Sequence, residues 1–256
     1  MAFYSDLGGG RFLASAHTNG PWAEGAQHGG PPSALLGRAV ERESPREDAL
    51  VGRVTVEILG PVPVGELEVR SRVARPGRSV ELVEAVLSAG GRDVARAAAW
   101  RVLRSPDDVA VPPRHASPPP LPPAAEDPPP AGWVQGYVQA VEWRWARGHF
   151  ATAGLATVWA RQRHPLVDGE EPSGLQRLLL VADSGNGVSS ELDPRRHWFI
   201  NPELTVHVHR EPVGPWVCLD ATTTVSPGGA GLATSVLSDQ QGPVGVGAQA
   251  LLVASR

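Results

Sequence analysis

Residues 173–187 read SGLQRLLLVADSGNG. The apolar residues of this stretch recur at i, i+3, i+4 and i+7, the spacing of an amphipathic helix, at Leu175, Leu178, Leu179 and Ala182. Ser173 is a suitable N-cap, and Gly185 and Gly187 favour the end of the helix. Because an α-helix advances about 100° per residue, Asp183 lies on the edge of the apolar stripe. We therefore expect either a solvated carboxylate in the last turn or a partly buried one that a ligand can reach.

The composition of the chain excludes several classes of protein. Its 256 residues, 41% of them hydrophobic, suffice for one large domain or two ordinary ones. The net charge of −4 argues against non-specific binding to nucleic acid, which needs a basic face. The single cysteine, Cys218, excludes an internal disulfide and favours a reducing compartment, where we expect it to be a small buried hydrophobe. No stretch has the pattern of a signal peptide or the length of a transmembrane helix, so we expect a cytoplasmic protein without a membrane span.

A proline-rich segment divides the chain. Residues 105–131 contain eleven prolines and almost no aliphatic periodicity, a composition that favours extended polyproline II structure. We interpret this segment as a linker between two halves, residues 1–104 and 132–256. Because proline-rich backbone buries few groups, we expect that shortening residues 117–130 costs little stability.

The two halves match each other at an offset of 150 residues. Val54, Thr55 and Val56 correspond to Leu204, Thr205 and Val206, and residues 86–88 correspond to residues 236–238, both reading VLS. A helix led by Gly and Pro precedes this block in each half, from Gly29 in the first and from Glu171 in the second. The common order and offset indicate an internal duplication.

Period-2 hydrophobic patterns and Gly/Pro turns predict long strands in both halves. In the first half they fall near residues 53–59, 67–75, 80–88 and 94–103, and in the second near residues 134–145, 152–163, 198–209, 216–225, 231–238 and 244–253. One helix per antiparallel meander can bury its apolar stripe only against the concave face of the sheet. We therefore predict an α+β fold, a tandem double hotdog in which each half is a long helix wrapped by an antiparallel β-sheet.

The sequence resembles the acyl-CoA thioesterase II-like family of double hotdog thioesterases. The resemblance spans nearly the whole chain and is carried by QHGG at residues 27–30, LVAD at residues 180–183 and the last two strands. It implies that Asp183, Asn201 and Gln249 are the catalytic residues. The neighbourhoods of two of them depart from the family pattern, because Pro202 follows Asn201, and Ala-Leu-Leu follows Gln249.

The chemistry of thioester hydrolysis suits these residue types. A carboxylate can accept a proton from the attacking water while side-chain amides hold that water in line. Backbone N–H groups at a helix N-terminus can stabilise the oxyanion. His28, Gly29 and Gly30 either bind the substrate there or simply form the turn into the first helix, and we assign them to substrate binding. No cofactor or metal is expected, although His207 and His209 share one face of a strand as paired metal ligands would.

The first half lacks the same polar residues. At the 150-residue offset Gln249 corresponds to Ala99 and Asn201 to Val51, and the acids of the first helix begin only at Glu41. We therefore expect a single active site in the second half and a degenerate copy in the first. Several tryptophans of the second half could line an acyl tunnel, although core packing explains them too: Trp133, Trp143, Trp145 and Trp159.

Together these patterns predict an enzyme of lipid metabolism that hydrolyses acyl-CoA thioesters to free acid and coenzyme A. The alternative is a non-catalytic acyl-CoA-binding or scaffold protein of the same fold. A hydratase is a third interpretation, but its chemistry typically pairs Asp with His, and no such pair follows the second helix. Exposed sheet edges further predict a homo-oligomer.

Overall fold

A computed structural model describes residues 1–21, 25–106, 108–109, 117–125, 136–150 and 152–256. Thirteen strands of this part of the chain form one antiparallel sheet. The strands are β1 (Tyr4–Gly8), β2 (Arg11–Ala14), β3 (Ala49–Ile58), β4 (Glu66–Arg75), β5 (Val80–Ala89), β6 (Arg92–Leu103), β7 (Val141–His149), β8 (Thr152–Gln162), β9 (His197–Ile200), β10 (Glu203–Val208), β11 (Val217–Val225), β12 (Gly231–Asp239) and β13 (Gly242–Ser255). Their order is β1-β2-β4-β5-β6-β3-β10-β13-β12-β11-β8-β7, and β9 pairs with β13. No described helix is long and apolar enough to cross a membrane.

Two of the helices pack on one face of this sheet and enclose the hydrophobic core. The helices are α1 (Gly30–Arg42), α2 (Tyr137–Ala140), α3 (Gly174–Ala182) and α4 (Gly185–Val188), and a 3-10 turn lies at Ala16–Thr18. Helix α1 packs on β3 to β6, α3 packs on β8 and β10 to β12, and the two helices contact each other. A Cβ at Gly37 of α1 would lie 2.5 Å from Leu179 Cδ1 of α3, so this glycine permits the close packing. The core therefore lies between the helix pair and one face of the sheet.

The predicted stripe of α3 is confirmed, but its predicted end is wrong. Leu175, Leu178, Leu179 and Ala182 are all buried. Ser173 is the N-cap, its Oγ accepting a hydrogen bond from the Gln176 N–H at 3.1 Å. The helix ends at Ala182, before the glycines that were expected to stop it. Gly185 instead begins the short helix α4.

The predicted strands are confirmed except at two places. Residues 198–209 form two strands, because Pro202 has no N–H to donate and interrupts the ladder between β9 and β10. Residues 137–140 form the helical turn α2, so β7 begins only at Val141. The first break matters for the site, since Asn201 lies in the gap between the two strands.

The 150-residue offset is also the offset of the strand register. Thr55 pairs directly with Thr205 where β3 meets β10, and the two hydroxyl oxygens are 3.2 Å apart. In the first half Thr55 also pairs with Ala98, and in the second half Thr205 pairs with Ala248. The next residues, Ala99 and Gln249, consequently hold equivalent positions in β6 and β13.

The described part of the proline-rich segment packs against the sheet, contrary to expectation. Residues 117–125 cross the second half, where Trp159 Nε1 donates a hydrogen bond to the Pro119 carbonyl at 3.1 Å. The Arg144 guanidinium donates another to the Pro122 carbonyl, also at 3.1 Å. Leu121 packs on a small cluster of buried residues, Trp159, Trp216 and Cys218. An extended proline-rich backbone offers carbonyls that are not bonded within the segment, and the indole and guanidinium groups donate hydrogen bonds to them. These contacts could not be predicted from the composition of the segment.

Candidate active site

The three residues implied as catalytic meet at the end of α3. Asp183 is the C-cap of the helix and is 3% exposed. Its Oδ1 accepts hydrogen bonds from Asn201 Nδ2 at 2.8 Å and from Gln249 Nε2 at 3.3 Å. Gln249 Nε2 also donates to the Asp183 carbonyl at 3.0 Å, and its Oε1 accepts from the Asn186 N–H at 3.1 Å. The carboxylate is therefore fixed by one amide from the gap after β9 and one from β13.

The N-terminus of α1 closes against this carboxylate. The Gly29 N–H donates a hydrogen bond to Asp183. A Cβ at Gly29 would lie 2.7 Å from Asp183 Oδ2, and one at Gly30 would collide with the Leu180 carbonyl. The two glycines are thus required for the approach of α1 to the end of α3.

His28 lies beside the same carboxylate. The ring is 8% exposed, its Nδ1 accepts the Gly30 N–H at 3.0 Å, and the same Nδ1 is 3.2 Å from Asp183 Oδ2. It stacks on Tyr137, with ring centroids 3.8 Å apart and an interplanar angle of 11°. An Asp–His pair therefore exists, although none follows the second helix in sequence, because its histidine comes from the first half.

Tyr137 is a site residue that the sequence analysis missed. Its hydroxyl lies 2.8 Å from both the Leu180 carbonyl and Ser184 Oγ, which ties α2 to the end of α3. The sequence analysis missed it because residues 134–145 were expected to form a strand of the sheet, whereas Tyr137 lies in the helical turn α2. The one indication in the sequence was Gly136, directly before Tyr137, because glycine often marks a break in a strand. In the structure Gly136 has a φ of 75°, which favours glycine.

Burial governs the electrostatics of the site. It raises the pKa of Asp183 to about 7, against the opposing hydrogen bonds from Asn201, Gln249 and Gly29. Burial also lowers the pKa of His28 to about 3 and raises the pKa of Tyr137. Near neutral pH the site consequently holds a neutral imidazole and a carboxyl group poised between its acid and its base form.

Two cavities border this cluster and share His28 and Asn186 in their walls. The larger has a volume of about 500 Å³ and is lined by Asp183, Asn201, His28 and Gly29 together with mostly apolar side chains. Its apolar wall includes Val56, Ile58, Leu59, Trp198, Ile200 and Leu252. A second cavity of about 20 Å³ borders His28 and Asn186 and has an aromatic wall of Tyr137, Trp143 and Phe150. Trp143 thus lines a cavity as well as packing, whereas Trp133 lies outside the described residues.

The equivalent place in the first half has different chemistry. A cavity of about 380 Å³ lies there, lined by Glu41 and by Val51, the counterpart of Asn201. Glu41 accepts hydrogen bonds from Ser173 Oγ at 2.7 and 2.8 Å and from Gln176 Nε2 at 2.7 Å, which caps the start of α3. The buried Arg101 guanidinium occupies the end of α1 and bonds the carbonyls of Val40, Glu43 and Ser44. Neither of the two amides that hold Asp183 has a counterpart here.

His207 and His209 belong to no cluster of possible metal ligands among the described residues. Within the described ranges, no group of three or more His, Cys, Asp or Glu side chains is arranged to hold a metal ion. His207 is exposed on β10.

Two domain models of one family match the chain. The acyl-CoA thioesterase N-terminal domain matches residues 18–102, and the acyl-CoA thioesterase C-terminal domain matches residues 113–253. Among curated proteins, none matches this chain.

Solved structures of similar fold extend over nearly the whole chain. A protein with a hot dog fold from Alicyclobacillus acidocaldarius is 18% identical, covers 98% of this chain and 95% of its own, and superposes with a TM-score of 0.71. The acyl-CoA thioesterase II TesB2 from Mycobacterium marinum is 16% identical over 99% of this chain and 95% of its own, with a TM-score of 0.65. The tesB protein of Mycobacterium avium subs paratuberculosis is 14% identical over 98% and 96%, with a TM-score of 0.66. At these identities the structures establish a hotdog fold and nothing finer.

Proposed function

The chain belongs to the acyl-CoA thioesterase family, and we propose that Asp183, Asn201 and Gln249 position the water that cleaves its acyl-CoA substrate into a free acid and coenzyme A. The observation that carries this proposal is the convergence of the two amides, Asn201 and Gln249, on the buried Asp183 carboxylate at the wall of a cavity of about 500 Å³.

In the proposed reaction the Asp183 carboxylate accepts a proton from water, and the hydroxide formed attacks the thioester carbon. Asn201 donates to Asp183 through Nδ2 and lines the cavity, so its side-chain oxygen can hold that water in line. Gln249 bonds Asp183 and Asn186 at once, so we assign it to orienting the carboxylate. The tetrahedral intermediate then expels the thiolate, which is a good leaving group.

The lining of the large cavity suits an acyl thioester. Apolar side chains can hold the acyl group or the pantetheine arm, and Gly29 gives the thioester a surface without a side chain at the point where it meets Asp183. His28, Gly29 and Gly30 thus remain the proposed substrate-binding residues.

We also propose that the chain is a tandem double hotdog, with residues 1–104 and 132–256 as its hotdogs and residues 105–131 as the linker. The shared strand register at an offset of 150 residues supports this division, as does one core helix in each half. We further propose that the protein is cytoplasmic, that it acts in lipid metabolism and that it self-associates through its sheet edges. Light scattering after size-exclusion chromatography tests the self-association.

The test of function is a panel of acyl-CoA substrates of different chain length, with release of free thiol measured by a thiol reagent and products identified by mass spectrometry. We expect thiol and free acid in equal amounts. Tight binding without thiol release would support the acyl-binding alternative. Conversion of an enoyl-CoA to a 3-hydroxyacyl-CoA would instead favour a hydratase, the chemistry that the Asp183–His28 pair makes worth testing.

A further inference from the structure

Hydrolysis of a thioester needs a hydrogen-bond donor for the carbonyl oxygen, because that oxygen gains negative charge as water attacks. The first turn of α1 is the expected source of such donors, and in this chain all of them are committed. The Gly29 N–H bonds Asp183 and the Gly30 N–H bonds His28 Nδ1. Pro31 and Pro32 have no N–H, and the Ser33 N–H bonds the Gly29 carbonyl at 3.0 Å.

The bond from Gly30 fixes the tautomer of His28. Nδ1 accepts the Gly30 N–H and also lies 3.2 Å from Asp183 Oδ2. The bond from Gly30 requires a lone pair on Nδ1, so the proton of the neutral ring is on Nε2, and Nδ1 has no proton to donate to the Asp183 carboxylate. No described residue accepts a hydrogen bond from this Nε2. The ring lines both the large and the small cavity, and Asp183 lines the large one, so a thioester within reach of Asp183 in the large cavity also lies beside the ring of His28.

Two contacts prevent the ring from turning away. A half-turn of the ring would replace Nδ1 by a carbon and break the bond from Gly30. The face of the ring is also stacked on Tyr137, whose hydroxyl is anchored to the end of α3. The orientation of the His28 ring is therefore fixed by one hydrogen bond and one ring stack.

We propose that the Nε2–H of His28 donates a hydrogen bond to the thioester carbonyl oxygen and stabilises the oxyanion, the role that the amides of α1 cannot fill. The inference rests on the proposed thioesterase reaction and adds a residue to it. Burial holds the pKa of His28 at about 3, so the ring stays neutral at physiological pH, and a neutral imidazole is a sufficient electrophile for a carbonyl.

In this step a proton moves only between water, Asp183 and the leaving thiolate, and His28 keeps its own proton throughout. The water oxygen bonds the carbonyl carbon, one water proton moves to Asp183, and the carbonyl electron pair moves onto the oxygen that His28 Nε2–H contacts. When the carbon–sulfur bond breaks, the electron pair leaves with sulfur, and Asp183 returns its proton to the thiolate.

Two substitutions separate the two nitrogens of His28. In His28→Asn the side-chain oxygen can replace Nδ1 as acceptor for Gly30, but nothing replaces Nε2–H. In His28→Gln the longer side chain can place an N–H near the position of Nε2. We expect His28→Asn to lower kcat by about 10²–10³, the usual effect of losing an oxyanion donor, and His28→Gln to keep at least about tenfold more activity than His28→Asn. Melting temperatures and circular dichroism establish that each variant is folded.

Two spectroscopic measurements test the contact itself. The probe for the first is a ¹³C-carbonyl ketone analogue of acyl-CoA with a methylene between carbonyl and sulfur, which cannot be hydrolysed. We expect its carbonyl signal to move downfield on binding to the wild type and to His28→Gln, and to stay near its free position in His28→Asn. Long-range ¹⁵N NMR of the wild-type imidazoles, with His28 assigned by its loss from a variant, should show an Nε2–H tautomer that does not titrate between pH 5 and 8.

The outcomes distinguish this proposal from the proposed function. A wild-type protein that hydrolyses no acyl-CoA would overturn the function, and this inference with it. A wild type that is active while His28→Asn has full activity, or leaves the carbonyl signal as polarised as before, overturns only the role of His28. An Nδ1–H tautomer, or titration of His28 near pH 6, overturns it as well, even if both variants fail to fold.

Discussion

At the scale of single residues, Asp183 is a carboxyl group that the fold keeps in an unfavourable place. It is buried, and the only basic side chain that contacts it among the described residues is the ring of His28, which is neutral at physiological pH. Such a group is a poor candidate for a stabilising ion pair. Amide donors alone offset its desolvation, which agrees with a pKa held within reach of neutral pH.

Replacing Asp183 tests its role as a base. We expect Asp183→Asn to fold normally and to lose about 10²–10⁴-fold in kcat, since the amide fills the same space but accepts no proton. The matched control is Glu41→Gln, a half-buried carboxyl of the first half that bonds Ser173 and Gln176. It should leave kcat almost unchanged on the same acyl-CoA. A similar loss in both variants would contradict a single active site.

The pKa of Asp183 also predicts opposite trends of activity and stability with pH. The folded-state pKa of about 7 lies above the ordinary value of 3.8, so the folded protein favours the protonated form. The stability that this form contributes is complete below pH 3.8 and is lost as pH rises to about 7. Over the upper part of that window kcat should rise as the base forms.

Thermal unfolding of wild type and Asp183→Asn at a series of pH values checks the sign. The melting temperature of the wild type should fall relative to that of the variant as pH increases through the window, because only the wild type must ionise a buried acid. Parallel curves would place the ionisation on another group.

Gly29 gives a third prediction at this scale. Gly29→Ala puts a Cβ 2.7 Å from Asp183 Oδ2, so either α1 or the carboxylate must move. We expect a large loss of kcat together with a lower melting temperature. Gly65→Ala is the control, because a Cβ there meets nothing within 4 Å. Comparable activity of the two variants would show that the approach of α1 to Asp183 is not needed for turnover.

At the scale of elements, the sequence predicts the helices and strands that have a regular hydrophobic period, but not the breaks within them. The stripe of α3 and the long strands β3 to β6 follow from periodicity, and the structure has them within a few residues of the expected bounds. The gap at Asn201 and Pro202 and the turn at Tyr137–Ala140 break that periodicity. Both contribute to the site, because an interrupted ladder frees a side chain to face a helix end.

The proline-rich segment shows the same limit in another form. Its lack of regular structure is readable from composition, but its contacts depend on Trp159 and Arg144, which are distant in sequence. We expect Leu121→Ala to destabilise the protein by about 1 kcal/mol, since part of its apolar side chain is buried on the Trp159 cluster. Chemical denaturation measures this, with the exposed Pro123→Ala as control. Equal stability of Leu121→Ala and wild type would support the original expectation that this linker contributes little to stability.

At the scale of the whole molecule, strands β3 and β6 pair in the same register as β10 and β13 at an offset of 150 residues, but the side chains at equivalent positions differ. Ala99 and Gln249 hold equivalent positions, yet only Gln249 can bind a carboxylate. Residue types at a common offset predicted this asymmetry, because an amide and a methyl group differ in the sequence itself. The position of Arg101 over the end of α1 was not predictable, since nothing in its strand pattern marks an inward-facing charge.

The asymmetry predicts the stoichiometry of binding. Isothermal titration of Asp183→Asn with an acyl-CoA that the wild type hydrolyses should give one bound ligand per chain. The first-half cavity is lined by charged side chains, among them Glu41 and Arg101, and has no counterpart of the Asn201 and Gln249 amides. Two ligands per chain would show that the first half still binds substrate.

The direct pairing of Thr55 with Thr205 has a consequence for how such a protein can evolve. Were the two halves separate, identical chains, every mutation would appear on both sides of that pair, and the cap formed by Arg101 would reach both sites or neither. In the tandem duplication that we propose, covalent fusion gives each copy its own codons. The first copy can then change into a rigid support while selection on turnover acts on the second alone.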